Sequence, residues 1–260
     1  MKQYGLILAV GALALIACSP ENGNSNTESG EIEQIEYQIL DGGSVHHNYV
    51  LNFTRDASGR ISGITETHYI LSEGEKQAEP HSTSSLTITY DDKIDNLGTI
   101  ARHSDGSDYE DSFVLNDDGT IKEFSQEKNY KSTFVYDNGY LTKILGYDNY
   151  SGMDITWSNG DMVKADYSDI QYSTDPNPFA NSIDFTVRAL NEWYPSPLFF
   201  YAAGFFGKRT AHLFKSISDE NDTFNYDYIK DKKGRIEKIT LSMTSEGVSF
   251  VREQYVIHYK

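Results

Sequence analysis

Paired imidazoles, abundant carboxylates and two tryptophans are the side chains here with chemistry to offer. His46 and His47 carry metal-binding nitrogens, but no Cys and no second His at ligand spacing lies near them. Neighbouring residues of a strand point to opposite faces, so the pair cannot chelate from one strand. No metal site is expected. The run Ser104-Asp105-Gly106-Ser107-Asp108-Tyr109-Glu110-Asp111 has the composition of a calcium loop. It lacks the ligand order and closing Glu of an EF-hand, and hairpin turns draw on the same residues. Asp and Glu together number 39, enough for two carboxylates to face each other as a glycosidase requires. Trp157, Trp193 and Tyr194 carry rings that stack on sugars and are the candidate ligand contacts. A Trp beside a hairpin turn or at a helix end more often packs. No Gly-x-Ser-x-Gly elbow, phosphate loop or dinucleotide fingerprint occurs, so no catalytic residue is assigned and no cofactor is expected.

One more reactive side chain has a defined chemistry. Cys18 is the only cysteine, which rules out an intramolecular disulfide framework. It follows Lys2 and an uncharged stretch from Gly5 to Ala17, the layout of a secretory leader. That stretch is shorter than the ~20 apolar residues a bilayer-spanning helix needs. Leu15-Ile16-Ala17-Cys18 matches a lipobox, in which the thiol receives a diacylglyceryl group before cleavage. Residues 1–17 are therefore expected to be a signal peptide, with Cys18 lipidated. Acyl chains contribute about 0.8 kcal/mol per buried CH₂, so several of them anchor a protein stably. Residues 19–30 hold no aliphatic or aromatic side chain, so 18–30 is expected to be a lipidated, flexible tether. Residues 31–260 then form a single β-domain.

The elements that must position any site follow one grammar. A strand end leads into Asp/Asn-rich turn residues, Gly, one residue, then an aliphatic strand. It occurs at Leu51 to Ile61, Phe113 to Ile121, Phe134 to Leu141, Ile155 to Met162 and Tyr228 to Ile236. A looser copy runs from Ile88-Thr89-Tyr90 to Gly98-Thr99-Ile100 with an expanded turn. Asn-Gly and Asp-Gly tolerate the positive φ that tight hairpins need. Gly119, Gly139 and Gly160 lie 20 and 21 residues apart, a period that fits consecutive hairpins. The fold class is therefore all-β: an antiparallel meander of about fourteen strands, too many for one flat sheet, curled into a barrel-like or half-barrel form. The outward residues of its short alternating segments are polar or charged, so that face belongs in water rather than in lipid.

The grammar stops between Ser168 and Asp222. Over about 175–215 a short helical insertion is expected, beginning after Asp175-Pro176-Asn177-Pro178, with Phe179, Ile183, Val187 and Leu190 at helical spacing. Leu198 to Phe206 is its most apolar run. Contiguous apolar surface is normally buried, so this segment is expected to plug or cap the curled sheet.

The lipobox, the Tyr/Phe-Asp-x-x-Gly hairpins, and Asn177-Pro178-Phe179-Ala180-Asn181 followed by Gly207-Lys208-Arg209 resemble a family of uncharacterised Bacteroidota lipoproteins described with a porin-like β fold. The hairpins are also similar to the YD repeats of large bacterial surface proteins. The resemblance implies the fold, and no functional residue carries over. Leu213 is followed by Phe214 where members usually have Leu-Pro. A formal charge of −17 argues against nucleic acid and against docking on anionic lipid. The membrane is reached only through the lipid anchor. The expected protein is a monomeric cell-envelope lipoprotein, periplasmic or at the cell surface, with the outer membrane preferred over the inner. It is expected to be a non-enzymatic binding or scaffolding module for a glycan, peptide or lipid. The alternatives are an envelope carbohydrate hydrolase using paired carboxylates, and a lipid carrier using the apolar insertion.

Overall fold

The computed structural model describes residues 31–72, 75–76, 79–91, 97–104, 106–126, 130–146, 152–166, 168–178, 204–218 and 222–260. Among them are seventeen strands and no helix: β1 Ile32–Asp41, β2 Ser44–Arg55, β3 Ile61–Ser72, β4 Glu75–Lys76, β5 Ser82–Asp91, β6 Leu97–Ser104, β7 Ser107–Leu115, β8 Ile121–Gln126, β9 Tyr130–Asp137, β10 Tyr140–Leu145, β11 Met153–Ser158, β12 Asp161–Ala165, β13 Ser168–Pro176, β14 His212–Ser218, β15 Asp222–Lys230, β16 Ile236–Ser245 and β17 Val248–Tyr259. Every strand pairs antiparallel with its sequence neighbour, except that β4 is a flap on β3 and β5 pairs with β3. β1 pairs with both β2 and β17, which closes the other sixteen into a barrel. Closure removes the free edges that a meander this long would otherwise expose. The seventeen strands exceed the expected fourteen by three, one of them the two-residue flap β4.

A meander sends alternate turns to opposite ends, and every Asp/Asn-x-x-Gly turn lies at one of them. Two geometries serve it. Asn138 and Gly139 both have positive φ, 49° and 81°, the two-residue turn whose twist matches its flanking strands. At Asp56 to Arg60 the chain instead takes a longer turn, with Gly59 at φ 81° and, just beyond it, a register shift between Ile61 and Gly63. That is a turn closed by a glycine bulge. Asp56 Oδ1 accepts the amides of Ser58 and Arg60, each at 2.9 Å, and its Oδ2 meets Arg60 Nε at 2.7 Å. Asp231 to Arg235 repeats this arrangement. Burial opposes both Asp charges, yet the hydrogen bonds from the following Arg and turn amides hold the carboxyls below their ordinary range.

Tyrosine joins the strands at this end, which accounts for part of its abundance. Tyr90 Oη donates to the Ile61 carbonyl at 2.8 Å, Tyr172 to Met162 at 2.7 Å, Tyr228 to Phe214 at 3.0 Å and Tyr259 to Ile236 at 2.8 Å. Each acceptor lies near the start of one strand, and each donor lies on the next strand or the one paired with it. Each phenol thus satisfies a carbonyl at the barrel rim. Arg60 and Arg235 cover the rings of Tyr90 and Tyr259 at 4.1 and 4.3 Å. Burial pushes the Tyr259 phenol up to about 12, against the pull of Arg235.

The inward side chains form one apolar core. Ile35, Ile100, Ile121 and Ile236 are wholly inaccessible, and Phe113, Leu141, Met162 and Ile239 nearly so. On β5 and β11 the outward positions are polar: Thr83, Ser85, Thr87 and Thr89, and Asp154, Thr156 and Ser158, are exposed, while the exposed large apolar residues Val135, Leu145, Ile229, Val248 and Phe250 are scattered over other strands. This pattern is the reverse of a lipid-facing barrel, which needs an apolar band outside.

The insertion is narrower than 175–215. Asp175 and Pro176 belong to β13 and His212 to β14, so it spans 177–211. β13 and β14 pair with each other, and the hairpin architecture continues straight through the segment where the turn grammar lapses. The expected helix at 179–192 and Leu198 to Phe200 lie outside the described residues. The final part, Gly204 to Ala211, is not helical. It turns at Gly204 to Phe206 and bridges at Gly207 to Tyr140. It then crosses the turn end: Lys208 N donates to Gly139 O at 2.8 Å and Ala211 N to Gly160 O at 3.0 Å. The Phe205 carbonyl accepts both Ile121 N at 2.8 Å and Tyr136 Oη at 3.2 Å. Phe205 thus enters a tyrosine clasp in place of the local strand carbonyl. Its ring packs on Phe113 at 5.0 Å, and that of Phe206 on Phe134 at 5.8 Å. The described part of the insertion is a cap.

Candidate functional site

At the far end the inward face changes character. Register alone brings Tyr255, Tyr37, Tyr49 and His68 side by side across β17, β1, β2 and β3. Their rings stack in sequence, with centroids at 4.9, 5.6 and 4.3 Å, and Tyr49 lies within 5° of parallel to His68. All four are half-buried. An apolar core has no need of so many polar tips.

Histidines and carboxylates surround this row. His47 lies two residues before Tyr49 on the same face, and its Nδ1 is 3.0 Å from His68 Nε2. His81 donates its amide to the His68 carbonyl at 2.8 Å, and its exposed ring stands edge-on to His68 at 5.2 Å. Burial first, then repulsion from His47 and His81, lowers the His68 pKa, so its neutral form is favoured. Glu66, two residues before His68, faces Leu51 and Ser84. Burial raises its pKa, partly offset by a hydrogen bond from Ser84. The Tyr49 phenol is raised as well, by burial and then by Glu66. Glu253, only 7% exposed, pairs with Ile39 at the same level and receives the Tyr255 hydroxyl at 3.4 Å. Asp111, 1% exposed, faces Ile100 further round the wall. As placed, no group of three or more His, Cys, Asp or Glu among the described residues could hold a metal ion.

The residues singled out from the sequence are dispersed. His46 points outward and is exposed, as strand alternation requires, while His47 points in and finds His68. The acidic run forms the β6–β7 hairpin, with Asp108 bonded to His103 at 2.7 Å on its exposed surface. Trp157 donates its indole N–H to the Leu141 carbonyl at 2.7 Å and packs on Tyr140 at 4.7 Å, at the capped end. Trp193, Tyr194 and Cys18 lie outside the described residues.

The domain of unknown function DUF4595, with porin-like fold, matches residues 53–238. The chain belongs to this family. A porin-like protein from Bacteroides uniformis superposes on it with a TM-score of 0.66 at 17% sequence identity, covering 87% of this chain and 96% of that one. A porin-like protein from Bacteroides vulgatus, 13% identical over 89% of this chain and 99% of that one, gives a TM-score of 0.34, too low to support an argument. No curated protein matches. In this DUF4595 chain the inward side chains of the capped half are mainly apolar, with Thr120, Asp161, Asn177 and Thr210 buried at the cap, and the Tyr255–Tyr37–Tyr49–His68 row lies toward the far end.

Proposed function

We propose that the chain is a lipid-anchored, non-enzymatic binding module of the cell envelope, which presents the far end of its barrel to a glycan. The half-buried row Tyr255–Tyr37–Tyr49–His68, edged by Glu66, Ser84 and Glu253, carries this reading. Sugar rings offer apolar C–H faces and hydroxyls together, and such a surface answers both. Carboxylates at the same place disfavour nucleic acid. The lipid-carrier alternative loses ground, since Phe205 and Phe206 are committed to the core at 4% and 6% exposure.

The anchor fits this arrangement. Glu31 enters at the capped end, where its carboxylate meets Arg55 at 2.9 Å and its carbonyl accepts Lys260 N at 3.0 Å. A tether leading there from a lipidated Cys18 would join the barrel at its capped end, opposite the aromatic row. The outer membrane is the preferred site, and the molecule acts as a monomer. Replacing Cys18 with Ser is expected to move the protein from the detergent phase to the aqueous phase. Retention on membranes after a salt wash would show that Cys18 is not the anchor.

Recognition is tested with the soluble form on an oligosaccharide array, followed by calorimetry. Glu66→Gln and Tyr37→Phe keep the side-chain shapes and change only the polar tips. Each is expected to weaken the bound glycan at least about fivefold, or roughly 1 kcal/mol, the usual size of one hydrogen bond. Silence across the array at millimolar concentration, or parental affinity in both variants, would overturn the reading.

A further inference from the structure

We propose that His47 and His68, completed by His81, form a binding site for a divalent transition-metal ion, with Zn²⁺ as the reference ion, at the far end of the barrel. The inference stands apart from glycan recognition, because it rests on imidazole geometry and needs no sugar.

The Nδ1 of His47 and Nε2 of His68 point at each other across 3.0 Å. Two such nitrogens either share a proton or share a metal. Two imidazoles on a tetrahedral zinc, each bound at about 2.0–2.1 Å, stand roughly 3.3 Å apart. The observed gap is a few tenths of an ångström short of that, within reach of a small rotation about either side chain. The pair comes from different strands, which escapes the objection that His46 and His47 cannot chelate together.

The remaining requirements of a ligand set are also present. His68 is held by the parallel face of Tyr49 at 4.3 Å, so its nitrogen is aimed before any ion arrives. His81 is tied to His68 through the backbone, and its exposed ring stands edge-on at 5.2 Å, so binding would require that ring to turn toward the shared position. Two nitrogens are thus set in advance, and the third arrives with the ion. Water would fill the fourth position, as in zinc sites that keep one place open. A net charge of −17 adds an attractive field for cations.

The test is titration of the metal-free full-length protein in detergent with ZnCl₂ by calorimetry, and with CoCl₂ by visible absorption. One equivalent should bind, and bound Co²⁺ should give the intense bands of a low-coordinate site. His47→Gln and His68→Gln should each lose at least about tenfold in affinity, and His81→Ala several-fold, with His46→Ala unchanged. A Zn²⁺-dependent rise in melting temperature, present in the parent and absent in His68→Gln, shows binding to the folded state. His81→Ala removes only an exposed ring, so it serves if the buried variants fold poorly. Absence of binding by the parent overturns the proposal, as does equal loss in His46→Ala and His81→Ala. Failure on the glycan array leaves these outcomes unaffected.

Discussion

Truncating Phe205 to Ala is expected to destabilise the barrel by on the order of 3–5 kcal/mol, the usual range for a buried Phe. The ring is 4% exposed and lies between Phe113 at 5.0 Å and Tyr90 at 6.2 Å, so its removal leaves a void that neither neighbour can fill without moving. Its backbone carbonyl holds two donors from β8 and β9, which fixes the main chain and keeps the cap from settling into the gap. Domains of this size lose roughly 2–4 °C per kcal/mol, so the melting temperature should fall by about 10 °C. Phe250, 47% exposed near the β16–β17 turn, is the matched control and should cost less than about 1 kcal/mol on the same change. Thermal melts followed by circular dichroism decide it. A shift within error for Phe205→Ala would mean that the crossing segment rests on the barrel without belonging to its core.

The features legible in the sequence are those governed by local chemistry. Asn138-Gly139 and Asn159-Gly160 announce two-residue turns, and the alternation along β5 and β11 marks inner and outer faces. The burial of Phe205 and Phe206 also followed from composition, since so apolar a run needs cover. Closure did not follow. It depends on Ile35 meeting Ile257, residues at opposite ends of the chain, and no local pattern encodes that pairing. The histidine cluster fell between these cases. Ligand-spacing rules search along the chain, whereas His47 and His68 meet across a hairpin, 21 positions apart. Counting outward from the Asp56–Arg60 pair that closes the turn, with one further residue for the shift between Ile61 and Gly63, pairs Tyr49 with His68 and His47 with Ile70. That count was available from the sequence, provided the bulge was recognised.

Gly98 shows how one residue type serves two purposes. The sequence pattern places it beside the turn glycines, but it lies within β6, directly opposite Phe113. Its φ is not among the positive values, so no backbone requirement reserves the position for glycine. Space does. A Cβ built there would fall inside the Phe113 ring, which lies flat over the glycine and is 1% exposed. An aromatic ring covering a cross-strand glycine shields backbone that would otherwise lie bare. Gly98→Ala is therefore expected to destabilise the barrel by roughly 1–3 kcal/mol through overpacking, because Phe113 has Phe205 on its other side and nowhere to retreat. At Gly119, with φ 81° and nothing within 4 Å of an added Cβ, the same change should cost only about 1 kcal/mol, all of it backbone strain. The two origins separate in a double-mutant cycle. Phe113→Leu removes the ring that the new methyl strikes, so Gly98→Ala should be nearly neutral in that background, with a coupling energy of about 1–2 kcal/mol. Gly119→Ala should cost the same in both backgrounds. Additive losses for Gly98→Ala and Phe113→Leu in urea denaturation would refute the steric account and return Gly98 to a backbone role.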